Sequence, residues 1–360
     1  MKNCNHSHWL GLHMRDGETI FTHSDRSHSL LRDLPSAESQ LPSLFVLIGH
    51  ERKSIALREL VSGPTQGRSN AKRRHGEIHL HIDSFTTFGE RPVLFAEGDF
   101  PTSEKSSKAL SAEKCHDATS RVLPRLRNTI PTLSLQKAAD NLYFRLLSPF
   151  TDVFCFFSAD LGGLQPIARR IASWLDLGQP SSLPLSTHPQ IVIVTESSTP
   201  ELQEYRILEI FLRLLSEETR RDISTQFAGV RVLTLLPDGD VSSQARHMRL
   251  KECLMNASDQ VRSARMESRT LFSAVHFSAF LNHACSHFAD GPTQPFNFIR
   301  ISRLNNPVAP DLKDHLSNFL SKIKTPQELM AFGIPLIASS FLLDSYPPDM
   351  HRALNCRYGI

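Results

Sequence analysis

The stretch Leu44–Leu60, LFVLIGHERKSIALREL, decides how the rest of the chain is read. An apolar run from Leu44 to Ile48 meets Gly49, then a polar turn and the pair Lys53-Ser54. Ile55, Ala56, Leu60 and Val61 follow on one helical face. Strand, turn, Lys-Ser and helix make the outline of a nucleotide-binding P-loop. The glycine content does not match that outline. If Lys53 and Ser54 take the last two places of GxxxxGK[ST], the glycine places fall on Leu47 and Arg52, with Gly49 inside the loop. Those glycines normally let backbone N–H groups close on phosphate.

Outward from this unit, the apolar pattern describes an α/β sheet. Glu77 to Phe85 alternates, and Pro92 to Ala96 forms a second strand close enough to pair with it antiparallel. The continuous apolar run Asp152 to Phe157 reads as a central parallel strand, Gln190 to Val194 as another buried strand, and Val230 to Leu236 as the last clear strand. Helices are expected over Leu133–Leu147, Leu164–Leu177 and Pro200–Leu215. The fold class is therefore α/β: a mostly parallel sheet with one antiparallel edge strand, in a Ras-like P-loop arrangement, followed by a helical extension. The domain reading places a polar, partly disordered leader at 1–42 and the P-loop-like domain at 43–241. The helical extension, a possible truncation, covers 242–360. Residues 100 to 130 read as a long loop or insertion.

Composition narrows the function classes. Hydrophobic residues make up 40% and charged residues 21%, and the net charge is +3. That charge gives no general case for nucleic acid or membrane binding. The six cysteines lack CxxC spacing, so a reduced, cytoplasmic protein is expected. No secretory signal or transmembrane segment is legible. The longest apolar stretch, Leu329 to Leu343, is short and broken by Gly333 and Pro335.

The candidate site residues follow from the P-loop outline. Lys53, Arg52 and Ser54, with Gly49, are the phosphate contacts, and Gly98 with Asp99 supply a second motif at a strand end. A DxxG match there would need Asp where Phe95 stands, although Glu97 or Asp99 could substitute. The guanine-reading [NT]KxD place reads Thr195-Glu196-Ser197-Ser198, of which Thr195 alone fits. The cofactor expectation is GTP or ATP with Mg, bound weakly or no longer bound. No catalytic residue and no metal ligand is assigned. His283 and His287 lie four apart on a helix without HExxH, and Asn3, Cys4, His6 and His8 match no zinc spacing. Ser158 follows a strand but lacks the flanking glycines of a nucleophile elbow. The basic cluster Arg68, Lys72, Arg73 and Arg74 reads as a solvated loop.

Five phrases carry a resemblance: PSLFVLIGHERKS, RPVLFAEGDFP, DVFCFFSADLGGL, LFSAVHFSAFLNHACSHFA and IASSFLLDSYPPDMH. With them the chain resembles the N-terminal region of large fungal multidomain proteins that carry a patatin-like phospholipase domain further along. The resemblance covers most of residues 20 to 352. It implies a divergent P-loop GTPase-like domain with degenerate nucleotide motifs, a pseudoenzyme whose partner is another protein or a downstream lipase domain. Patatin-type hydrolysis needs GxSxG and a DG[GA] Asp. The Ser motif is absent, and Gly98-Asp99 and Asp238-Gly239 stand in other contexts. The expected function is regulatory or scaffolding. The alternatives are a working nucleoside triphosphatase, and the N-terminal fragment of a phospholipase that lacks its catalytic domain.

Overall fold

The computed structural model describes residues 7–61, 76–101, 117–124, 134–198, 200–304 and 310–344. The described residues form nine strands: β1 His8–Arg15, β2 Glu18–Ser24, β3 Ser43–Ile48, β4 Glu77–Ile82, β5 Val93–Gly98, β6 Ala118–Val122, β7 Val153–Phe157, β8 Gln190–Glu196 and β9 Gly229–Leu235. The main helices of this part are α1 Arg26–Arg32, α2 Glu51–Leu60, α3 Leu135–Asn141, α4 Leu164–Asp176, α5 Pro200–Glu218, α6 Ser243–Glu267 and α7 Ala274–Asp290.

All nine strands join one sheet in the order β6-β2-β1-β4-β5-β3-β7-β8-β9. From β5 to β9 the pairings are parallel, and β4 runs antiparallel to β5. Buried apolar runs make the central strands, because a parallel strand is covered on both faces. On one face α2 and α6 pack against Phe45, Leu47, Phe95, Cys155, Val192 and Leu233. The buried residues of α6, Leu250, Leu254, Ala257 and Val261, recur at helical spacing. On the other face Trp174 of α4 meets Phe154, Phe156, Phe144 and Phe227, with ring centroids between 5.2 and 6.3 Å away.

The expected single antiparallel edge strand needs correction. β1 pairs antiparallel with both β2 and β4, and β2 with β6, so β4 is an interior strand. The residues expected to be a leader thus supply two strands and α1. Asp16 and Gly17 both have positive φ (52° and 76°), the backbone of a tight two-residue hairpin turn. β6 lies within the expected 100–130 loop and is exposed along its length. After residue 241 the elements among the described residues are helices, and the chain divides into two compact units at Phe296. The first unit is Met1–Phe296 and holds α6 and α7; the second is Asn297–Ile360. The second contains α8 Phe298–Ser302, α9 Leu312–Leu320, α10 Pro326–Glu328 and α11 Ile334–Asp344. Among the described residues no helix is long and apolar enough to cross a membrane.

Candidate functional site: a self-filled P-loop

Parallel strands β3, β7 and β8 end side by side, with Ile48 in register with Phe156 and Phe157 with Val194. Ligands of open α/β sheets bind outside such carboxyl ends. Here the loop from Gly49 turns directly into α2, whose first turn presents backbone N–H groups that lack carbonyl partners within the helix, and the positive end of the helix dipole.

An anion already sits there, and it belongs to the chain. Beyond β7 a single tight turn, Ser158–Leu161, carries Asp160 over the start of α2. Its carboxylate accepts the backbone N–H of His50 at 2.7 Å, of Lys53 at 2.9 Å and of Arg52 at 3.0 Å. These are the donors that a P-loop offers to phosphate. Gly49 permits the approach: a Cβ at that position would stand 2.6 Å from Asp160 Oδ2. The Gly49 N–H is used separately, donating to Gly98 O at 3.2 Å.

The Lys53 ammonium is committed as well. It turns inward to Glu97 Oε2 at 3.0 Å and donates to Gly98 O at 3.3 Å. Lys53 is buried and Glu97 fully so. His81 Nε2 lies 3.2 Å from the second Glu97 oxygen. Ser54 Oγ donates back to His50 O at 2.7 Å, one turn earlier in the chain. Asp99 accepts the Gly76 N–H at 3.0 Å, and His50 Nδ1 lies 3.4 Å from its other oxygen.

The strand ends of β8 and β9 close the remaining side with ion pairs. Arg52 pairs with Asp238 and lies 3.5 Å from Glu196, and Arg246 of α6 pairs with the same two carboxylates. The Arg52 guanidinium beside Asp238 holds that carboxyl below the usual range. Across the whole site Arg52, Lys53 and Arg246 face Glu97, Asp99, Asp160, Glu196 and Asp238, so carboxylates outnumber cations. The loop amides of His50, Arg52 and Lys53 are thus already engaged by Asp160.

All six sequence-derived site residues lie in this region, with Gly49, Arg52, Lys53 and Ser54 on the loop and α2, and Gly98 and Asp99 at the end of β5. The sequence reading missed Asp160, Glu196, Asp238 and Arg246 as members of the site. For the three carboxylates the available signal was an acidic residue at or just past the ends of β7, β8 and β9; Arg246, on α6, had none. Ser158 Oγ donates to Val194 O at 2.8 Å and is buried. His283 and His287 do not gather further ligands, and no metal-holding group occurs among the described residues. Asn3, Cys4 and His6 and the basic cluster 68–74 lie outside the described residues.

Strand order, loop and helix define the class as an α/β unit consistent with a P-loop GTPase-like fold. No protein-family model and no curated protein matches the chain. Among solved structures the chain is similar to an ADP-ribosylation-factor-like GTP-binding protein, the small COPII coat GTPase of Encephalitozoon cuniculi, in complex with GDP. Identity is 11%, the match covers 68% of this chain and 90% of that one, and the TM-score is 0.33.

Proposed function

We propose that the chain is a regulatory or scaffolding domain of P-loop shape that has lost nucleotide binding. The observation that supports this most directly is the Asp160 carboxylate on the His50, Arg52 and Lys53 amides. Nucleotide would have to displace that carboxylate and also pull Lys53 from a buried pair with Glu97. Each substitution costs desolvated charge that the incoming phosphate must replace. A domain so arranged serves as a rigid platform, with another protein or a downstream lipase-type domain as its partner, in the cytoplasm. The test is titration of the purified protein with fluorescent GTP and ATP, with and without magnesium. No saturable binding is expected into the millimolar range. Saturable, magnesium-dependent binding to the wild-type protein would overturn the proposal and favour a working nucleoside triphosphatase.

A further inference from the structure

We propose that Asp160 is a tethered substitute for phosphate: an autoinhibitory contact that holds the loop in its anion-bound shape and closes it to free oxyanions. This deepens the proposal above and rests on it. Asp160 reaches the loop from a different strand end, more than 100 residues along the chain. It uses both oxygens, Oδ2 for His50 and Lys53 and Oδ1 for Arg52, as a phosphate group would. An intrachain carboxylate is present at a high effective concentration wherever its tether spans the gap, so millimolar free phosphate competes poorly. The turn Ser158–Leu161 is anchored beneath it, because Ser158 Oγ donates to Val194 O and Gly163 N–H donates to Ser158 O at 2.8 Å. The backbone donors remain when the carboxylate is removed, since they are fixed by the start of α2. The vacated site would then take a small tetrahedral oxyanion such as inorganic phosphate.

Two variants test this. Asp160→Asn removes the charge and turns one acceptor oxygen into an NH2 that opposes the loop amides, and Asp160→Ala removes the group. Thermal unfolding in phosphate is compared with chloride at matched ionic strength, and the His50, Arg52 and Lys53 amide resonances are followed during phosphate titration. Loss of the cap is expected to lower Tm by about 2 °C in Asp160→Ala. Phosphate should restore most of that loss saturably and shift the three amides in both variants, while the wild-type amides stay still. If Asp160→Ala does not fold, the amide titration of Asp160→Asn decides alone. Silent amides in the variants, or equal shifts in the wild type, would overturn the inference. Failure of the lost-binding proposal would show instead in the magnesium-dependent nucleotide titration of the wild type.

Discussion

Lys53 Nζ lies 3.0 Å from the Glu97 carboxylate, with both side chains removed from solvent. The lysine that would meet phosphate in a P-loop is therefore part of the core. Removing one partner leaves the other charge buried, and such a break costs about 3–5 kcal/mol. Lys53→Ala should accordingly destabilise the first unit by about 3 kcal/mol in urea unfolding. The paired change Lys53→Met with Glu97→Leu should cost much less than either single change, because no unpaired charge is left. A near-neutral Lys53→Ala would show that the pair is not buried as described.

Gly98 ends β5 against Tyr143, whose hydroxyl donates to Asp99 O at 3.2 Å. A Cβ on Gly98 would stand 2.4 Å from that hydroxyl oxygen and 3.2 Å from the Glu77 carbonyl. Gly98→Ala should therefore cost about 2 kcal/mol through overpacking. In a Tyr143→Phe background the hydroxyl clash is gone and the carbonyl contact remains, so the cost should fall without vanishing. A double-mutant cycle read by chemical denaturation measures that coupling.

Some of this architecture is written locally, and some is not. The runs LFVLI, VFCFF and QIVIV declare β3, β7 and β8, because a strand covered on both faces has to be apolar throughout. The hairpin β1–β2 also had a signal, Asp16-Gly17 between strand-like flanks, hidden by histidines that a half-buried strand tolerates. β6 had none: Ala118–Val122 is an exposed edge whose only described strand partner is β2, so no apolar period marks it. The site divides the same way. Lys53 and Arg52 follow from their place after a strand, and Glu97 stands at the next strand end. Asp160 acts through a contact across more than 100 residues, which spacing cannot reveal before the neighbouring strands are known.

His188, buried just before β8, has its pKa lowered from 6.5 to about 4, mainly by burial, against a backbone hydrogen bond at Gln226 that raises it and with a smaller lowering from the Arg265 charge. Its ring is neutral in the folded protein where the unfolded chain would protonate it. The unfolded state thus binds more protons between those values, and stability present above pH 6.5 is lost as pH falls toward 4. The full effect is about 3 kcal/mol. Urea midpoints measured from pH 7 down to pH 4.5 should fall accordingly. His188→Gln should flatten that part of the profile, and an unchanged slope would refute the assignment.

Cys155 and Cys285 are buried, and burial pushes the Cys285 thiol up to about 12 and the Cys155 thiol well above its usual value. Reaction with iodoacetamide requires the thiolate. Both should stay unlabelled in the native protein at pH 8, and both should react once it is unfolded in denaturant. Peptide mass mapping separates them from the other cysteines. Rapid native labelling of either would contradict the packing of β7 or α7.

The last prediction concerns where the first unit ends. Asp152, at the foot of β7, accepts Arg265 Nη1 at 2.6 Å and Ser258 Oγ at 2.5 Å, both from α6. Arg265 also donates to Thr151 O at 2.8 Å and Thr187 O at 3.2 Å, so one buried side chain ties α6 to two loops of the sheet. Burial lowers the Arg265 pKa, and the Asp152 charge offsets that shift only in part. A chain cut after residue 241 would lose this partner, strand the Asp152 side chain without its cation, and uncover the sheet face that Leu250 and Leu254 protect. It should not fold cooperatively. A chain cut after residue 296 keeps all of these contacts and should give a sigmoidal thermal transition and dispersed amide resonances. Cooperative folding of the shorter piece would move the boundary back to the end of β9 and make α6 an accessory to the sheet.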